Sequence, residues 1–104
     1  MNDLQEKIKK FTKENNMDSK TEFRILDLVS EVGELSKEIL KMTDYGNKKL
    51  ELNENVKSEL GDVFFSLIAI ANNLEIDLEE VLELVLKKYK KRINKGGHSG
   101  SENE

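Results

Sequence analysis

Two six-residue segments repeat one another in type. Ser30-Glu31-Val32-Gly33-Glu34-Leu35 and Ser58-Glu59-Leu60-Gly61-Asp62-Val63 both read Ser-Glu-apolar-Gly-acid-apolar. On a helix, acids three residues apart lie about 60° apart and one turn up, so each pair points one way. Two such pairs facing each other crowd Glu31, Glu34, Glu59 and Asp62 into a space that charge repulsion forbids without cations. Divalent metal resolves the conflict. The donors are oxygens only, with no cysteine in the chain and its single histidine, His98, outside the helical pattern. That set favours Mg²⁺, with Mn²⁺ as the alternative, over zinc, and such sites keep positions open for water and phosphate oxygens. The missing histidines also disfavour a di-iron bundle, which needs Glu-x-x-His pairs.

Spacing alone is weak evidence, because the chain has 21 acidic residues in 104. Acid-x-x-acid recurs at Glu51/Glu54, Asp77/Glu80 and Glu80/Glu83, where a solvated face or a helix N-terminus explains it. Shared context sets the two hexads apart. The glycine inside each costs a helix interior about 1 kcal/mol and leads one to expect another element packed against it. Glu38 extends the first pair, only about 20° from Glu31, while Glu31 lies about 40° from Leu35 and about 60° from Leu28. The acids should therefore border an apolar stripe.

The elements that position these acids follow from periodicity. Leu4, Ile8 and Phe11 predict a first amphipathic helix from Leu4 to about Asn16. Ser-Lys-Thr-Glu at 19–22 suggests a capping box opening a second helix, whose stripe of Ile25, Leu28, Val32, Leu35, Ile39 and Met42 ends near Met42. Asp44, Gly46 and Asn47 mark a turn within Thr43 to Lys49. A third helix is expected from Leu50 to Asn73, apolar on nearly every face between Val63 and Ala71. A helix of that kind is buried all round, and three neighbours from so short a chain can hardly enclose it. A homodimer or higher oligomer is the expectation. Asp77 caps a fourth helix with the stripe Leu78, Val81, Leu82, Val85 and Tyr89, stopped at Gly96-Gly97. The domain organisation expected is one helical domain over 1–95 and a flexible tail over 96–104.

Composition agrees with an all-α four-helix bundle. There is no proline, half of the six glycines lie in the last nine residues, and Leu, Glu and Lys dominate. The sequence Met1-Asn2-Asp3-Leu4 has no signal-peptide character and no apolar run approaches a membrane span, so a cytoplasmic setting is expected. The formal charge of −4 argues against binding a nucleic-acid polymer by its backbone. Lys87, Lys88, Lys90, Lys91, Arg92 and Lys95 nevertheless form a basic end within nine positions. Lys88, Lys91 and Arg92 can contact a polyphosphate, or simply complement the helix C-terminus. Tyr45 is a candidate to stack on a base, or simply an exposed loop residue, and Phe11 and Phe23 are candidates to line a base pocket, with core packing the plainer role for the two phenylalanines. His98 can close over phosphates as a flap, or belong to a disordered tail.

At Glu31-Val32-Gly33-Glu34-Leu35 and Glu59-Leu60-Gly61-Asp62-Val63-Phe64-Phe65 the chain resembles the MazG-like, all-α nucleoside triphosphate pyrophosphohydrolases. Their signature is Glu-x-x-Glu, a spacer, then Glu-x-x-Asp. The likeness extends through Asn73 to Val81 and into the basic run ending at Arg92, from about Phe23 onward. It implies a helical fold that dimerises or forms tetramers, and binding of Mg²⁺ by Glu31, Glu34, Glu59 and Asp62. It also implies cleavage of an NTP or dNTP to the monophosphate and pyrophosphate, with Glu34 or Glu38 placed to orient the water. Housecleaning of the nucleotide pool is a typical role. Tyr89 departs from the pattern, standing where members often carry asparagine. Two other readings compete: a non-catalytic helical interaction module, and a same-fold phosphohydrolase acting on another nucleotide-like substrate.

Overall fold

A computed structural model describes residues 2–96; of the tail expected over 96–104, Gly96 is the last helical residue and 97–104 lie outside the described residues. Four helices follow in order: α1 Asp3–Glu14, α2 Thr21–Met42, α3 Glu54–Asn73 and α4 Leu78–Gly96. No strand occurs among the described residues. None of the helices is long and apolar enough to cross a membrane.

Local chemistry sets the ends. Asn2 caps α1 by accepting from the Gln5 amide, and Asn53 caps α3 by accepting from Val56. α3 therefore begins at Glu54 rather than Leu50, because an asparagine oxygen satisfies an amide that a helix through Leu50-Glu51-Leu52 would have had to bond internally. The capping box expected at Ser19 is absent. α2 starts two residues later with Lys20 at its cap and no side-chain bond, and the Ser19 carbonyl instead accepts from Asn73 Nδ2 at 2.9 Å. Asp77 does cap α4, its Oδ1 accepting from the Glu79 and Glu80 amides. In the α2–α3 turn Thr43 Oγ1 donates to the Ile39 carbonyl and accepts from Gly46, whose φ of +91° is the conformation glycine adopts without strain.

The central unit is the α2–α3 hairpin. Asn55 bonds Glu38 near the turn, and Asn73 bonds Thr21 and Ser19 at the far end, so the two helices run antiparallel. α1 packs on the C-terminal half of α3 through Gln5, which is fully buried. Gln5 Nε2 donates to Asn72 Oδ1 and the Ile76 carbonyl, and its Oε1 accepts from the Leu78 amide. One side chain thus ties α1, α3 and the start of α4 together.

Helix faces differ from the expected stripes. In α1 the inward residues are Gln5 and Thr12, whereas Leu4 and Phe11 are half exposed. Phe11 is not a core residue; its ring meets Phe65 edge-on at 6.2 Å. Phe23 is likewise outside the core, at 56% exposure. On α3 only Ile68, Ala69 and Ala71 are buried, and Leu60, Phe64 and Leu67 stay open, so burial all round does not occur within one chain. α4 buries none of its residues. The Cα radius of gyration is 16.9 Å, against about 13 Å for a close-packed chain of this length.

Candidate metal centre

The row Arg24, Leu28, Glu31, Leu35 and Glu38 recurs every three or four residues along α2 and is its less exposed side. It is the side that meets α3. On α3 the antiparallel pairing sets Glu59 and Asp62 opposite Glu31. Ligand oxygens of Glu31, Glu59 and Asp62 all lie within 4.8 Å of one another, with Glu31 and Glu59 half-buried and Asp62 exposed.

Glu34 and Glu38 stand outside that triangle but within its field. Partial burial raises the Glu59 carboxyl above its ordinary value of 4.5, and the charges of Asp62, Glu31, Glu34 and Glu38 raise it further. Each of these groups disfavours another negative charge at Glu59. Glu34 is exposed. Glu38 is half-buried and fixed by Asn55, whose Nδ2 donates to Glu38 Oε1 at 3.2 Å. Asn55 had no sequence signal beyond its place in the first turn of α3, opposite Glu38 in an antiparallel hairpin.

A cluster of carboxylates in which Glu59 resists ionisation fits a hard divalent cation, which reverses the electrostatic conflict and matches an all-oxygen donor set. Glu31, Glu59 and Asp62 can hold it from one side of the seam, with Glu34 one turn further along α2. Exposed acids around it leave room for water and phosphate oxygens.

The basic candidates lie elsewhere in the chain. Lys88 and Arg92 flank the Tyr89 ring at 5.6 and 5.5 Å from its centre, and Lys91 is exposed. None of the three is among the groups acting on Glu59. Tyr45 is 75% exposed in the turn. His98 lies outside the described residues. The hexad glycines also differ from expectation: a Cβ at Gly33 or Gly61 would meet nothing within 4 Å, so among the described residues no other element packs on either.

Comparison with known proteins bears on the same residues. A Bacillus subtilis (strain 168) protein described as uncharacterized protein YpjD is 41% identical over 68 residues. Those residues are 62% of this chain and 60% of the relative, so less than two thirds of the relative's length is spanned. No solved structure matches. Residues 20–96 match the family described as the MazG nucleotide pyrophosphohydrolase domain. Since that match runs from the cap of α2 to the last residue of α4 and takes in every acid of the cluster, the chain belongs to the MazG nucleotide pyrophosphohydrolase domain family.

Proposed function

We propose that the protein hydrolyses a nucleoside or deoxynucleoside triphosphate to the monophosphate and pyrophosphate with Mg²⁺, or Mn²⁺, held by Glu31, Glu34, Glu59 and Asp62. The observation that carries this reading is the convergence of Glu31, Glu59 and Asp62 within 4.8 Å, in a chain whose family is named for pyrophosphohydrolysis. When bound, the metal supplies charge neutralisation for the phosphates and a bound water of lowered pKa.

The chain's own groups do the rest. Glu34 or Glu38 orients the attacking water, and Glu38 suits the task because Asn55 fixes one of its oxygens and leaves the other to accept a proton. Lys88, Lys91 and Arg92 offer cations to the triphosphate, the two that flank Tyr89 being steadied by its ring. A homodimer or homotetramer covers Leu60, Phe64 and Leu67 of α3 and the unburied length of α4. Housecleaning of the nucleotide pool is the role we assign.

The test is product identity. Common and modified NTPs and dNTPs are incubated with purified protein and Mg²⁺, or with chelator, and the products separated. Monophosphate with pyrophosphate, formed only with metal, is the expected result. Diphosphate with orthophosphate, or turnover unaffected by chelator, contradicts the proposal.

A further inference from the structure

At the end of the α2–α3 seam away from the turn, positive charge converges on a cavity of about 280 Å³ bordered by Lys9, Lys13, Arg24, Asp18, Asn72 and Asn73. Lys9 and Lys13 are one turn apart on α1, so both reach from the same side. Arg24 is only 8% exposed. Its guanidinium donates through Nη2 to the Met17 carbonyl at 2.6 Å, its buried Nε has no partner, and it makes no ion pair among the described residues. A buried guanidinium that lacks a counter-charge is costly.

Three cations against the single carboxylate of Asp18 leave the cavity positive in a chain of net charge −4. Its far wall is fixed in place, since Asn72 Nδ2 donates to the Gln5 carbonyl and Asn73 Nδ2 to the Ser19 carbonyl. The space lies just under the usual range of about 300–1,000 Å³ for organic ligands, yet holds roughly nine waters. Arg24 precedes Glu31 by seven residues on the same face, which separates the two sites by roughly 10 Å along α2.

We propose that Arg24, Lys9 and Lys13 form an oxyanion site, separate from the acid cluster and independent of the reaction assigned to it, that binds a phosphate group. The guanidinium edge supplies directed N–H donors and the two lysines supply charge. The group arrives either as inorganic phosphate or on a nucleotide.

The experiment is a titration of the ¹⁵N-labelled full chain followed by NMR. Chelator is present, so that no metal draws anions to the acids, and NaCl holds ionic strength constant. Inorganic phosphate and a nucleoside monophosphate are added in parallel. Saturable shifts are expected at the Arg24 Nε–H and at the amides of Lys13 and Asp18. The Lys9→Ala/Lys13→Ala variant, which changes only exposed side chains, should keep its melting temperature and bind roughly tenfold more weakly. Arg24→Lys should lose saturation. Tighter binding of the monophosphate assigns the nucleotide as the source, and equal binding assigns free phosphate. Linear, non-saturating shifts that match between the wild type and the double-lysine variant overturn the proposal.

Discussion

Glu59 stands at the centre of the electrostatic conflict, since four other carboxylates and its own partial burial all favour its protonated form. The sign for stability follows. The folded chain holds this proton more tightly than the unfolded chain, so the contribution is fully present below 4.5 and is lost as pH rises through the raised folded value. In chelator, the urea midpoint should therefore fall as pH is raised from 4.5 toward neutrality, and Glu59→Gln should flatten that fall. Mg²⁺ at neutral pH should restore the wild-type midpoint by binding the folded state, and restore the variant far less. A midpoint that rises with pH in chelator would contradict this account. The acids were legible at this scale because two hexads share a context. Arg24 was not: a lone arginine among Phe23, Ile25 and Leu26 looks like any solvated cation until its neighbours on α1 and α3 are in place.

At the scale of elements, periodicity located all four helices, because an apolar repeat survives whatever the helix packs against. It did not fix which face turns inward. Leu4 and Phe11 predicted the inner side of α1, whereas Gln5 occupies it, because one carboxamide satisfies Asn72, the Ile76 carbonyl and the Leu78 amide at once. Gln5→Ala should destabilise the protein by about 3 kcal/mol, since it leaves buried donors and acceptors unpaired, and chemical denaturation will measure it. The register of α2 against α3 was equally hidden, for helical phase pairs Glu31 with Glu34 but says nothing of Glu59. The hexad glycines make a second test. With open space at its Cβ position, Gly33→Ala should stabilise the folded chain by about 1 kcal/mol through helix propensity alone. A loss of stability would reveal a partner packed on that face.

For the whole molecule, the question is what covers the apolar surface. The segment from Val63 to Ala71 is apolar but for Ser66, more than one chain encloses, and within one chain Phe64 and Leu67 are open at 49% and 42% exposure. Light scattering should give a mass that is two or four times the 12.0 kDa of the chain, and Phe64→Glu should reduce it to that of a single chain. The central claim remains chemical: the acid cluster holds the metal that cleaves a nucleoside triphosphate. Its most direct test is pyrophosphate release by wild type and Glu59→Gln side by side at saturating Mg²⁺, on whichever nucleotide the wild type turns over fastest. The account predicts release by the wild type and at least about a hundredfold less from the variant. Equal rates from the two proteins would contradict it.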